Sequence, residues 1–350
     1  MSPQNYKFIR PQNFNPASLV VFSTPNNLPR VIEESIKAFQ NDKLEVYVAG
    51  VDSILNSCRD GVSELWLDEP ISVKNSILLE HRDDLNNQPR ESDGVNIVVA
   101  RKNWKSISSN FSISVGNKHS VDVSLANTVF STEHLVTLFY FNNSSDENAG
   151  KALCELSITL PEITADSSAV LTDKWVPLYE KDSPELFVTD CTGNLVKSVN
   201  SKSAAGYLEN NEKLMSIGSK ETEVYVKLYK KGQQDPLKYQ VIAGGGGWGA
   251  KANIIVLSPE AKLSKGDRIE FFMLTPEDRY HNVTIDTSTL QNKFMVETTH
   301  EQVSYNHEQQ QEQVLQTVFA CGSEQGFRYN GIKHGSAGER LTIDLKSSCI

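Results

Sequence analysis

Apolar positions change period twice in the first fifty residues, and the changes predict the opening elements. Ser18-Leu-Val-Val-Phe-Ser23 is an apolar run ended by a Thr-Pro-Asn-Asn turn, the pattern of a buried strand. Between Leu28 and Phe39, Val31, Ile32, Ile36 and Phe39 fall at helical spacing, and Glu33 and Glu34 sit in the early turns, where the helix dipole favours acid. Leu44 to Gly50 then alternates and ends on glycine, which completes a β-α-β unit.

Further along, the pattern predicts a short helix at Ser53 to Arg59 and strands at Ser63 to Leu67 and Ser76 to Glu80. Strand-like runs at Val95 to Ala100, Phe111 to Val115, Val121 to Leu125 and Leu135 to Phe141, parted by Asn, Ser and Gly, read as antiparallel sheet. Leu153, Leu156 and Leu160 suggest a short helix ending before Pro161. Residues 197–222 read as the connection between lobes, with helix around Ala204 to Met215. The C-terminal part gives strands at Glu223 to Tyr229, Lys238 to Ala243, Ala252 to Leu257 and Arg268 to Met273. Glu297 to Gln316 reads as an exposed helix or a mobile insertion, and Val318 to Cys321, Gly331 to Lys333 and Leu341 to Leu345 close a sheet. The expected fold class is therefore α/β to α+β, in two packed lobes with mixed, largely antiparallel sheets. The expected divisions are a leader at 1–17, an N-terminal lobe at 18–215 and a C-terminal lobe at 216–350.

Charge narrows the partners. With 34 basic and 44 acidic residues the net charge is −10, a field that repels phosphate backbones, so no direct nucleic-acid binding is expected. No stretch approaches the roughly 20 apolar residues of a membrane span. The cysteines, Cys58, Cys154, Cys191, Cys321 and Cys349, are odd in number and form no CxxC pair, which favours a reducing compartment. The first 32 residues hold Lys7, Arg10 and Arg30 and no acid, one mark of a mitochondrial presequence, although Pro3 and Pro11 interrupt any helix there.

The most distinctive motif is Gly244-Gly-Gly-Gly-Trp-Gly249. It satisfies GxGxxG, but the strand after it leaves no helix N-terminus for a pyrophosphate. Lys251 is followed by Ala252 where a P-loop requires Ser or Thr. Two readings of the turn stay open: an architectural turn, or a nest of backbone N–H groups that receives an anion beside Trp248 and Lys251. His300-Glu301 and His307-Glu308 stand seven apart and are not HExxH, so no metal site is expected. There is no GxSxG, and Cys321 reads as a strand-end cysteine more readily than a nucleophile.

Three segments together carry a resemblance: Val121-Asp-Val-Ser-Leu-Ala-Asn-Thr-Val-Phe130, Gly244 to Lys251 with Leu257-Ser-Pro259 after it, and Phe319-Ala-Cys-Gly-Ser-Glu-Gln-Gly326. Their order is similar to that in fungal proteins of the FIST type. The resemblance spans about two thirds of the chain; Cys321-Gly322 and the Gln-rich 303–316 depart from it. It implies a two-part sensory or ligand-binding module, mitochondrial in location and without catalytic residues. The expected ligand contacts are Gly244, Gly245, Gly246, Gly247, Trp248, Gly249 and Lys251, facing a small anionic or zwitterionic molecule, with no cofactor and no metal. The alternative is an assembly or scaffolding factor of the mitochondrial matrix, bound in a protein complex near the gene-expression machinery. A cytoplasmic location is the alternative to the matrix.

Overall fold

The computed structural model describes residues 6–79, 109–144, 146–162, 168–217, 221–233, 236–244, 253–280, 290–299, 314–315 and 317–345. Two compact units emerge, Met1–Thr172 with Val283–Ile350, and Asp173–Asn282. The second is inserted in the first, so the division differs from the expected boundary at 215/216, which falls inside the second unit.

In chain order the first unit begins with β1 (Ser18–Ser23), α1 (Leu28–Asp42), β2 (Glu45–Gly50), β3 (Val62–Leu67), β4 (Ser72–Leu78), β5 (Asn110–Val115), β6 (His119–Ser124), α2 (Val129–Thr132), β7 (Leu138–Phe141), β8 (Leu153–Thr159) and β9 (Ala169–Thr172). The second unit holds β10 (Val176–Pro177), β11 (Leu186–Thr192), β12 (Leu195–Val199), β13 (Lys202–Ser203), α3 (Gly206–Glu209), α4 (Glu212–Ile217), β14 (Glu223–Tyr229), β15 (Leu237–Gly244), β16 (Ile255–Leu257), β17 (Arg268–Leu274) and α5 (Pro276–Tyr280). The first unit resumes with β18 (Lys293–Thr298), β19 (Val318–Ser323), β20 (Phe327–Tyr329), β21 (Ile332–His334) and β22 (Arg340–Asp344). The chain is thus a mixed α and β protein built of several largely antiparallel sheets.

The expected β-α-β unit is present: β1 and β2 pair in parallel, Val20 opposite Tyr47. They are the middle strands of a sheet ordered β3-β1-β2-β7, and both are buried along their whole length. That explains the unbroken apolar run, since a strand covered on both faces has no polar positions to alternate with. One face carries Leu19, Val21, Val46 and Val48 against Leu28, Val31 and Ala38 of α1. The same layer includes Tyr6, Phe8 and Phe14, so residues expected to be a separate leader are packed onto the sheet. The other face, with Phe22, Tyr47 and Leu65, meets a core shared with a β19-β18-β22-β9 sheet and a β21-β20-β6-β5-β8-β4 sheet.

The structure overturns the helix expected at Leu153 to Leu160. Leu156, Ile158 and Leu160 alternate with polar residues and enter the core, while β8 pairs with β4 on one side and β5 on the other. The expected helix at Ser53 to Arg59 shrinks to a single 3₁₀ turn, Leu55–Ser57, in which Asn56 and Ser57 take left-handed φ of 59° and 56°. The leucine-alanine-asparagine-threonine segment, expected as strand, lies beyond the end of β6 and leads into α2.

The second unit is a closed antiparallel barrel of six strands in the order β11-β12-β16-β15-β14-β17, returning to β11. Val226, Leu228, Ile269, Phe271 and Met273 fill it, while Tyr225, Lys227, Arg268 and Glu270 alternate on the other face. The helices expected around Ala204 to Met215 form as α3 and α4 within this unit.

Candidate functional site: a cleft along strand β7

Strand β7 ends its sheet, with β2 on one side, Val48 opposite Phe139. Helix α1 runs beside it in the same direction. At one end, Leu28 Cδ1 and the Thr137 carbonyl come within 3.4 and 3.5 Å of where a side chain on Gly50 would stand. At the other, the rings of Phe39 and Phe141 stack 5.3 Å apart. Between helix and strand lies a cleft of about 410 Å³. Its walls are mainly apolar, from Ile32 and Ile36 on the helix, Leu138, Phe139 and Phe141 on the strand, and Val136 just before it. Ser131, Thr132, His134, Thr137 and Lys151 add polar groups, and among the described residues no Asp or Glu lines it.

The segment Leu125 to Thr128 builds one end. Ala126 N–H donates to the Gly50 carbonyl at 3.0 Å and Gly50 N–H to that of Thr137 at 2.8 Å, tying the segment to the ends of β2 and β7. A Cβ on Gly50 would meet Thr128 Cγ2 at 2.9 Å, so this close approach requires glycine. Thr128 Oγ1 donates to the His134 carbonyl at 3.0 Å and lies 2.9 Å from Thr137 Oγ1, which is 3.0 Å from Thr132 Oγ1. The short α2 turn leaves the Phe130 ring wholly in solvent at the rim.

The carboxyl ends of parallel strands are where open α/β sheets usually place ligands. Here that end is filled. Ser53 and Gly322 exchange backbone hydrogen bonds of 3.2 and 2.8 Å, and Ser53 Oγ lies 3.3 Å from Thr299 Oγ1. A Cβ on Gly322 would fall 2.2 Å from Ser53 Oγ, so the contact leaves no room for a guest. Glu297, buried beside it, accepts from the Ser57 N–H at 2.7 Å and Arg340 Nη2 at 3.1 Å. Asp52 accepts from the Glu324 N–H at 2.8 Å, and burial holds its carboxyl above the usual range. Cys321 is buried in the same region; burial first, and then the Glu297 charge, push its thiol well above the ordinary value, which disfavours the thiolate.

Of the expected ligand contacts, Gly244 closes β15 opposite Ile255 of β16 and is exposed. Gly245, Gly246, Gly247, Trp248, Gly249 and Lys251 lie outside the described residues, as do His300, Glu301, His307 and Glu308. The strands flanking the glycine turn pair antiparallel, in keeping with a connection between neighbouring barrel strands. Among the described residues no group of three or more His, Cys, Asp or Glu side chains converges to hold a metal. The cleft itself left one trace in the sequence, the Leu125 to Thr128 segment that carries part of the family resemblance. Its aromatic wall did not stand out, because Phe139 and Phe141 read as ordinary strand residues. Comparison of the chain with protein-family models, curated proteins and solved structures finds no match.

Proposed function

We propose that the chain is a non-enzymatic small-ligand-binding or sensory module of the FIST type, with the cleft along β7 as its binding site. The single observation that carries this is the cleft: about 410 Å³ of largely apolar space with a few converging polar groups. That is the size and character of small-molecule sites in general. The place of the Leu125 to Thr128 segment at its end supports the reading, since this segment is one of the three behind the resemblance. The turn Gly244 to Gly249, with Trp248 and Lys251, remains the second proposed contact region. The resemblance supports a place in the mitochondrial matrix.

A thermal-shift screen of organic acids, amino acids and apolar alcohols tests the binding reading. A ligand stabilises the folded state by mass action, so compounds near 100 times their Kd raise stability by about 2.7 kcal/mol. Ala152→Trp, which fills the cleft, removes the shift if the cleft is the site, and Trp248→Ala removes it if the glycine turn is. The binding reading fails if no compound raises the melting temperature.

One observation favours the second reading, a matrix assembly or scaffolding factor. Phe130 is fully exposed and Ile36 is partly so at the rim of the same cleft. An exposed apolar rim is also what a protein partner would cover. Gradient sedimentation of the chain from mitochondrial extract tests this reading; migration as a free monomer counts against it.

A further inference from the structure

The cleft along β7 has two chemically different ends, and their difference sets the class of its ligand. We infer, resting on the binding reading above, that the cleft takes an elongated apolar monocarboxylate whose carboxylate lies at Lys151 and whose tail points toward Thr132 and Thr137.

The two ends are placed by the strand. Thr137 precedes β7 and Phe141 closes it, four residue steps or roughly 13 Å apart. Lys151 belongs to the Phe141 end: Gly150 N–H donates to the Tyr140 carbonyl at 2.8 Å, and a Cβ on Gly150 would stand 3.2 Å from Phe141 Cε1.

Counting protons distinguishes the ends. At the Thr137 end the Thr128 hydroxyl gives its proton to the His134 carbonyl at 3.0 Å. Thr132 has three acceptors for its proton, the Thr128 carbonyl at 3.2 Å, the Thr128 hydroxyl at 3.3 Å and the Thr137 hydroxyl at 3.0 Å. Thr137 has one proton for two hydroxyl neighbours, at 2.9 and 3.0 Å. The three hydroxyls spend their protons on one another and on the backbone, so what they turn outward is lone pairs. These three hydroxyls leave no free proton for a carboxylate, which only accepts. The Lys151 ammonium at the other end supplies its donor.

Charge agrees. Among the described residues the lining holds Lys151 and the imidazole of His134 and no acid, so a ligand ammonium finds no counter-ion among them. This narrows a small anionic or zwitterionic ligand to an anionic one. The apolar walls between the ends, Ile32, Ile36, Leu138 and Phe139, ask for a hydrocarbon body.

Titration calorimetry of the full chain with octanoate, 1-octanol and octylamine tests the assignment. Octanoate is expected to bind at least threefold tighter than the other two. Lys151 is solvent-exposed, so its ion pair is screened: Lys151→Glu is expected to weaken octanoate about three- to tenfold and to leave 1-octanol unchanged. Lys231→Glu, on the barrel, changes none of the three. The carboxylate assignment is overturned if 1-octanol or octylamine binds as tightly as octanoate, or if Lys151→Glu leaves octanoate unaffected. If none of the three binds, or if Ala152→Trp spares their binding, the cleft is not the site and the reading beneath the assignment falls with it.

Discussion

Tyr6 ties the N-terminal segment to the edge of the first sheet through the Glu64 carboxylate, and removing its hydroxyl gives a measurable cost. Tyr6 OH donates to Glu64 Oε1, while Trp66 Nε1 and the Ile9 N–H donate to Oε2 at 2.8 and 3.2 Å. Burial pushes the Glu64 carboxyl above its ordinary value of 4.5, and the three donors pull it part of the way back. A hydrogen bond to a charged group contributes about 1.5–3 kcal/mol, and partial exposure of Glu64 places this one at the low end. Tyr6→Phe keeps the ring contact with Phe8 and loses only the hydroxyl, so about 1.5 kcal/mol is expected. For a unit of this size that lowers the melting temperature by roughly 3–6 °C.

Glu64→Gln behaves differently. The amide oxygen can take the Trp66 and Ile9 donors while its NH₂ donates to the Tyr6 oxygen, so three bonds survive without a half-buried charge. It is expected within about 0.5 kcal/mol of wild type at neutral pH. The sign of the pH effect follows from the raised carboxyl. The folded state holds the Glu64 proton more tightly than the unfolded chain, so stability from this group is present below pH 4.5 and is lost as pH rises through the folded value. Glu64→Gln lacks that loss and gains on wild type from about pH 4 upward. Urea denaturation followed by circular dichroism, for the two single variants and the double, measures all of this. If Tyr6→Phe unfolds at the wild-type midpoint, the hydroxyl contributes nothing and the reasoning is wrong.

Other expectations concern packing and exposure. Gly322→Ala sets a methyl 2.2 Å from Ser53 Oγ and is expected to cost about 1–3 kcal/mol by denaturant titration, part of it recovered in the double variant with Ser53→Ala. A thiol-reactive probe near neutral pH labels the partly exposed Cys58 in the native protein, and Cys321 only after unfolding. Rapid native labelling of Cys321, read by mass spectrometry, contradicts its burial. Phe130→Ser changes the melting temperature by less than about 0.5 kcal/mol equivalent, because the ring touches nothing it could lose, while any partner held at the rim is released.

Local pattern carried the elements whose surroundings are local. The run Leu19 to Phe22, the amphipathic turns after Leu28 and the alternation of Val224, Val226 and Leu228 each declare their element within a few residues. Pattern failed where a long-range partner decides. The leucines at 153, 156 and 160 fit a helix on spacing alone, and only the two strands that flank β8 make them a strand. β18, Lys293–Thr298, was hidden because Glu297 is polar yet buried, paired with Arg340 and the Ser57 amide from elsewhere in the chain. Closure of the barrel is of the same kind: β17 meets both β11 and β14, segments about 80 and 45 residues before it, a relation that no window of sequence contains. The domain boundary followed from this closure. The stretch read as a connection between lobes instead runs from barrel strand β12 into α3 and α4, with Val199, Ala204 and Leu208 in the core of that unit.

The filled carboxyl end of the parallel strands and the open cleft along β7 explain each other. In an open α/β sheet the strand ends splay and leave a crevice. Here the Ser53–Gly322 contact and the Ser63 Oγ bond to the Ala320 N–H at 2.9 Å fasten one sheet to the next at that place. The fastening makes β3 an interior strand in practice and leaves β7 as the free edge of its sheet. An edge exposes side chains that a neighbouring strand would have covered. Phe139 and Phe141 then need a cover, which α1 supplies on one side only. The remaining space is the cleft, and the polar groups that enter it, Thr132, Thr137 and Lys151, come from the connections on either side of β7. Among the described residues the open space of this sheet thus lies at its edge and not at the strand ends, where a glycine-rich fingerprint would have placed it.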